Sequence, residues 1–228
     1  MSQIIRGFGI ATKSKALSIN HTSDKPFMTI AKIAFSLTLL VFSFASVAGG
    51  NTSNDSFNKA KKMLERHVYQ DHRETLYCGA KFDAKKNIEA PVGFVTTTHL
   101  KRAKKVEWEH VVPAENFGRS FTEWRDGHAG CVDSKGKSFK GRKCAEKINS
   151  EYRYMQADMH NLFPAIGAVN ALRSNYNFTM LPAAKSDFGS CDMRIDDRKA
   201  QPPEVARGII ARTCLLYTSP SPRDGLLS

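Results

Sequence analysis

Several patterns that would assign a function directly are missing from this sequence of 228 residues. Its five cysteines include no Cys-x-x-Cys pair, which excludes zinc-finger spacing. No His-Glu-x-x-His run occurs, because Ala114 occupies the position four after His110, and this argues against a helical zinc protease site. Internal repeats, low-complexity tracts and the usual signatures of sequence-specific DNA-binding domains are also missing.

Long hydrophobic runs are scarce as well. The longest spans 33–44, shorter than the roughly 20 residues that a membrane span needs. It follows a second possible start at Met28 and a lysine, and small residues follow it at 45–48, which is typical of a secretory signal peptide. We predict an over-long start at 1–27, a signal peptide at 28–48 and a periplasmic or extracellular protein without a membrane segment in its mature form. An uncleaved amino-terminal anchor is the alternative.

Positively charged residues outnumber negatively charged ones. The formal net charge is +12 and the isoelectric point is near 9.6, and the region after residue 48 remains basic. Clustered Lys and Arg attract phosphates, so this balance favours an anionic partner such as nucleic acid. The basic runs 101–105 and 135–143 could follow a DNA backbone or be ordinary solvated surface.

The cysteines become informative once export is predicted, because disulfides form in oxidising compartments. Cys131 and Cys144 would close the shortest loop, so we expect that bridge first. The pairing of Cys78, Cys191 and Cys214 stays open, and the odd count leaves at least one cysteine unexplained.

Hydrophobic periodicity predicts an α+β fold. The strand predicted at 106–112 alternates Val, Trp and His with Glu and stops at Pro113, which places polar side chains at a strand end. Between 119 and 143 we expect a long, basic, cross-linked loop. The remaining predicted elements are helices at 57–69, 151–159 and 165–172, the last starting after Pro164, and strands at 75–82 and 93–98.

Four polar residues could together hydrolyse a phosphodiester. His110 suits the general base, because imidazole accepts a proton near neutral pH. Glu109 and Asn161 supply a carboxylate and an amide oxygen, a reasonable protein share for Mg²⁺. Arg142 offers a fork of donors to phosphate.

Each assignment has an ordinary alternative. Neighbouring strand residues point to opposite faces, so Glu109 and His110 can share a cleft only if the chain bends. Asn161 could cap the helix predicted after Pro164. Arg142 could be one cation of a solvated loop. For the whole chain, the alternative is an exported cationic protein that binds nucleic acid or anionic polymers without cleaving them.

Five motifs in order give the chain a resemblance to a known family: Leu76-Tyr77-Cys78-Gly79, Val106-Glu107-Trp108-Glu109-His110-Val111-Val112-Pro113-Ala114, Gly141-Arg142-Lys143-Cys144, Asp158-Met159-His160-Asn161-Leu162, and 207–213. They resemble the endonuclease I family of periplasmic and secreted bacterial nucleases. The resemblance implies a mixed α+β fold built around a ββα-metal finger, with surrounding helices and disulfide-linked loops.

The resemblance also implies an activity: a monomeric, Mg²⁺-dependent and sequence-indifferent endonuclease on DNA, and often RNA, that leaves 5′-phosphate ends. It makes His110 the base, Arg142 the phosphate-holding arginine, and Glu109 and Asn161 the metal ligands. Other divalent cations could replace Mg²⁺.

The two ends of the chain bound the predicted nuclease domain, 49–213. Residues 214–228 lack periodicity and look foreign, and family members continue further after the match at 207–213. We therefore expect a carboxy-terminally truncated nuclease of marginal stability.

Overall fold

The computed structural model describes residues 50–218, which include the whole of the predicted nuclease domain except its first residue. The predicted over-long start, the signal peptide and residues 219–228 lie outside the described residues. The α-helices are α1 Phe57–Met63, α2 Ala114–Gly118, α3 Thr122–Arg125, α4 Arg142–Ile148, α5 Ser150–Gln156, α6 Gly167–Arg173 and α7 Glu204–Thr218. The strands are β1 Lys81–Phe82, β2 Ile88–Glu89, β3 Val106–His110, β4 Leu162–Ile166, β5 Asn177–Phe178, β6 Ser186–Phe188, β7 Cys191–Asp196 and β8 Lys199–Gln201.

The mixture of short sheets and helices confirms the predicted α+β class. Strands β5 to β8 form a four-stranded sheet in the order β5-β8-β7-β6, with β5 parallel to β8 and the other pairs antiparallel. The main hydrophobic core lies between this sheet, helices α6 and α7, and the β3–β4 pair. The predicted ββα-metal finger stays a prediction.

Strand β3 pairs with β4 along its whole length. The antiparallel register sets Val106 opposite Ile166 and His110 opposite Leu162. The predicted strand at 106–112 is therefore confirmed through His110, and the chain turns into α2 after Pro113. This ladder places Glu109 and His110 at the strand end, next to the turn.

The helix predicted at 165–172 was wrong at its start. Pro164 and Ala165 belong to β4, where Pro164 lies opposite Trp108, and α6 begins only at Gly167. Proline is tolerated here because β4 belongs to a two-stranded sheet, so one of its edges needs no ladder donor. The carbonyl of Pro164 accepts a hydrogen bond from the Leu76 amide at 2.8 Å.

The strands predicted at 75–82 and 93–98 were mostly wrong. Residues 76–78 form a turn, closed by hydrogen bonds from the Ala80 amide to the Thr75 hydroxyl oxygen and from the Gly79 amide to the Thr75 carbonyl oxygen. Only Lys81–Phe82 is strand. Between 93 and 98 the structure has a single bridge, from Phe94 to Gly189. These segments make local turns and a disulfide instead of a sheet.

The two helices predicted at 57–69 and 151–159 are confirmed. The first is α-helical to Met63 and continues as one π-helical segment, Leu64–Val68. The second is α5, followed by a 3-10 turn, Met159–Asn161. The segment predicted as a loop at 119–143 contains the short helix α3.

Two disulfides connect distant parts of the domain. Cys131 is bonded to Cys144, as predicted, and Cys78 is bonded to Cys191 on β7. Cys214 packs partly buried against the main core from helix α7, which continues to Thr218. The foreign origin of residues 214–228 stays a prediction. Among the residues that the structure describes, no helix is long and apolar enough to cross a membrane.

Candidate active site

His110 is buried at the end of β3, with 7% of its surface exposed. Its Nε2 lies 2.9 Å from the carbonyl oxygen of Gln156, and its ring stacks on Phe57 at 5.2 Å between centroids. A carbonyl only accepts, so Nε2 carries the proton and Nδ1 of the neutral ring keeps its lone pair. The pKa of His110 is lowered to about 4, mainly by burial and also by the nearby positive charges of Arg142 and Arg173, against the opposing effect of the Gln156 bond.

Glu109, the neighbouring residue, is a buried carboxylate held on one side. Its Oε1 accepts hydrogen bonds from the Tyr77 hydroxyl at 2.6 Å and from Nη1 of Arg173 at 2.7 Å. Burial raises the pKa of Glu109, and Arg173 and Tyr77 oppose that rise. Within residues 50–218, Oε2 has no hydrogen-bond partner, so this oxygen is available to a ligand.

Arg173 is the functional candidate that the sequence reasoning missed. It is 1% exposed and donates to Glu109, to the carbonyl of His110 at 2.7 Å and to the carbonyl of Val111 at 2.6 Å. Its guanidinium also lies 4.4 Å from the Phe178 ring centre. The signal was its position four residues after Val169, one residue beyond the predicted helix 165–172 and in line with the apolar face of that helix, where a buried arginine needs a buried anion.

Asn161 is fully buried, and its side chain is hydrogen-bonded to the backbone of Val112, just after β3. Its Oδ1 accepts from the Val112 amide at 2.7 Å, and its Nδ2 donates to the Val112 carbonyl at 2.9 Å. The alternative of a helix cap at Asn161 was wrong, because no helix starts at Pro164. The Val111 amide donates to the Asn161 carbonyl, which makes Asn161 a diagonal neighbour of Glu109 on the same face of the ladder.

Arg142 lies at the start of helix α4. It is the first residue of α4, after Gly141 with φ +78°, a conformation that glycine adopts without strain. The bond between Cys131 and Cys144 ties this helix start to the preceding loop. Within residues 50–218, no carboxylate lies within ion-pair distance of Arg142, so the guanidinium is available to an anion.

Glu109, His110 and Arg142 line one cavity of about 480 Å³, which we call the Glu109 cleft. The chain turns directly after His110, and at this end the cleft reaches side chains from both faces of β3. The sequence-based concern that Glu109 and His110 point apart is thereby resolved. A second cavity of about 770 Å³, the α1 groove, also contains His110 and Arg142. Asn161 lines neither cavity.

Comparison with known proteins decides the family. The model of the Endonuclease I family matches residues 52–220. The chain belongs to the endonuclease I family. It is 38% identical over 195 residues to an extracellular deoxyribonuclease of Aeromonas hydrophila, covering 82% of this chain and 79% of that protein.

Two further relatives show similar identity. A periplasmic deoxyribonuclease of Aeromonas hydrophila is 38% identical over 192 residues, with 80% of this chain and 72% of that protein covered. Endonuclease-1 of Buchnera aphidicola subsp. Baizongia pistaciae is 32% identical over 197 residues, with 81% and 74% covered. This endonuclease I protein is a secreted nuclease, extracellular or periplasmic, as predicted from its sequence.

Proposed function

We propose that the protein is a Mg²⁺-dependent endonuclease that hydrolyses DNA, and RNA as well, without sequence preference and leaves 5′-phosphate ends. The observation that carries this proposal is a neutral imidazole, His110, in one cleft with the carboxylate of Glu109 and the guanidinium of Arg142. The names of the Aeromonas hydrophila relatives support DNA as the substrate.

His110 acts as the general base. Its Nε2 donates to Gln156, so Nδ1 accepts the proton of the attacking water. The lowered pKa keeps the ring neutral in the free protein at neutral pH. A phosphodiester anion held by Arg142 brings a negative charge close to the ring, and that charge raises the pKa and strengthens the base.

Glu109 and Asn161 are proposed to hold the cation. Glu109 offers Oε2, and Asn161 Oδ1 keeps one of its two lone pairs beside the bond from Val112. Hard cations such as Mg²⁺ take oxygen ligands and retain several waters, so this donor set fits. When bound, the cation would offset negative charge on the phosphate. Within residues 50–218, no three His, Cys, Asp or Glu side chains cluster into a larger metal site.

Arg142 binds the phosphate that is cut. Its guanidinium can donate two parallel hydrogen bonds to phosphate oxygens, and the disulfide next to it limits movement of the helix start. Water adds to phosphorus, its proton moves to His110 Nδ1, the bond from phosphorus to O3′ breaks, and O3′ leaves as a hydroxyl after taking a proton from solvent water. The phosphate then remains on the 5′ end of the downstream fragment.

A plasmid-nicking assay tests whether His110 is the general base. We expect cutting by the parent protein with Mg²⁺ and none with EDTA, and a loss of about 10²- to 10⁴-fold in His110→Ala. His160→Ala is the matched control, because His160 is an exposed histidine close to Asn161. Equal cutting by His110→Ala and His160→Ala would overturn the base assignment. Tight DNA binding without nicks in the parent would favour a binding protein instead.

The metal assignment and the product need separate measurements. Mg²⁺ titration by calorimetry should show weaker binding in Glu109→Gln. Binding should be unchanged in Glu89→Gln, the matched control, because Glu89 is an exposed carboxylate on β2.

The 5′ ends of the products should accept a kinase-transferred phosphate only after phosphatase treatment. Labelling without phosphatase would contradict the predicted 5′-phosphate.

A further inference from the structure

Helix α1 turns two different faces to its surroundings. Phe57, Ala60 and Leu64 pack in a small core cluster with Ala157 and Leu162. Besides Phe57, the α1 groove is lined by Asn58, Lys61 and Lys62 of α1 and by Glu65 of the π-helical segment that follows it. The spacing i, i+3, i+4 puts Asn58, Lys61 and Lys62 on one face of the α-helix, so this face forms one wall of the groove.

The positive charge in this groove exceeds its negative charge. Two carboxylates line it, and each is neutralised locally: Glu65 by Lys86 at 2.8 Å, and Glu107 by the guanidinium of Arg102. The remaining charged lining residues are Lys61, Lys62 and Arg142. Within residues 50–218, no carboxylate lies within 4 Å of these three cations, so they are available to an anionic ligand.

The helix face is close to the proposed base. Phe57 stacks on the His110 ring, and the Lys61 ammonium lies 4.5 Å from the centre of the same Phe57 ring. His110 and Arg142 line both the α1 groove and the Glu109 cleft. A strand whose phosphate reaches His110 and Arg142 can therefore continue along α1.

We propose that the α1 face carrying Lys61 and Lys62 binds the phosphodiester backbone next to the phosphate that is cut. This inference rests on the proposed nuclease function and names the surface that holds its substrate. It differs from the expectation drawn from the basic runs 101–105 and 135–143. Of those runs, only Arg102 and Arg142 line the groove, and Arg102 is engaged by Glu107.

The test compares two double substitutions on the same helix. Lys61→Ala/Lys62→Ala removes charge from the groove face, while Lys59→Ala/Arg66→Ala removes the same charge from exposed positions that do not line the groove. Binding of a fluorescein-labelled DNA duplex is measured by anisotropy in EDTA, between about 50 and 200 mM NaCl, so that no cleavage occurs.

Each lysine that contacts a phosphate contributes about 0.9 to the slope of log affinity against log salt. The magnitude of this slope should therefore be smaller by about 1 to 2 in the groove variant, which should also bind more weakly. In the control the slope should stay within about 0.5 of the parent value. Lys61→Arg/Lys62→Arg keeps the charge and should restore binding. Thermal unfolding of all variants checks that they are folded.

Equal slopes in the groove variant and the control would overturn the surface assignment, and so would a loss of binding in the arginine variant. Neither result depends on cleavage, so the proposed function is judged separately, by the nicking assay with His110→Ala. A protein that cuts DNA but shows equal slopes has the proposed activity and a different backbone surface.

Discussion

The hydrogen bond from Tyr77 to Glu109 gives a direct measure of how firmly the proposed metal ligand is held. Both side chains are buried, at 1% and 3% exposure, and the oxygens are 2.6 Å apart. Tyr77→Phe removes one hydroxyl and leaves the ring packed in the core. Glu109 Oε1 keeps its bond to Arg173, so the substitution leaves no orphaned acceptor.

The expected cost follows from the charge on the acceptor. A hydrogen bond to an ionised group contributes about 1.5–3 kcal/mol, and a neutral one about 0.5–1.5 kcal/mol. Tyr77→Phe should therefore lower the free energy of unfolding of the parent by about 2 kcal/mol. In a Glu109→Gln background the same substitution should lower it by only about 1 kcal/mol. The free energy of unfolding of a small domain is about 5–15 kcal/mol, so Tyr77→Phe and Glu109→Gln should each still give a measurable unfolding transition.

The assay is equilibrium urea unfolding near neutral pH with the disulfides intact, followed by tryptophan fluorescence. The four proteins of the cycle are the parent, the two single variants and the double variant. Equal costs of Tyr77→Phe in the two backgrounds would refute the argument, because they would show that the Tyr77 hydroxyl does not stabilise the charge of Glu109.

Three further outcomes follow from the structure. Arg173→Met should destabilise the fold by about 3–5 kcal/mol, since it removes the cation that pairs with the buried Glu109 carboxylate; an unchanged urea midpoint would contradict this. Because the folded pKa of His110, about 4, lies below the unfolded value, the unfolded chain takes up a proton first as pH falls. The parent should therefore lose about 3 kcal/mol relative to His110→Asn between about pH 6.5 and 4, and parallel stability profiles would disprove it. Gly167→Ala should lower the free energy of unfolding by about 1–3 kcal/mol, because its Cβ would lie 2.5 Å from the Arg102 carbonyl oxygen. Gly208→Ala, on the exposed surface of a helix, should raise the free energy of unfolding by about 0.5–1 kcal/mol. The urea midpoints of the two variants should therefore move in opposite directions.

Local patterns were sufficient where the local chain decides the structure. The alternation before Pro113 predicted β3, and the apolar spacing after Phe57 predicted the first helix. Pro164 shows the limit, because proline suits both a helix start and an edge strand. Pairing with Trp108, more than fifty residues earlier in the chain, selects the strand, and nothing near Pro164 reports that partner.

Three of the four residues that the sequence proposed for the site come together in the structure, whereas the contacts that support them were not predictable. His110, Glu109 and Arg142 could be chosen from residue type and motif, and they line one cleft. The turn at 76–78 was missed because its purpose is non-local: it carries Tyr77 to Glu109 and Cys78 to Cys191. Such roles depend on contacts that exist only after the chain has folded.

Arg173 meets two requirements that would otherwise conflict. The proposed chemistry needs Glu109 ionised and His110 neutral, yet burial by itself favours the neutral form of both residues. The positive charge of Arg173 lowers the pKa of Glu109, which favours its carboxylate, and also lowers the pKa of His110, which keeps its imidazole neutral. A single buried cation between the two residues therefore supports both protonation states. Replacing Arg173 by an apolar side chain should push both pKa values upward, so Glu109 would lose charge where a cation needs it.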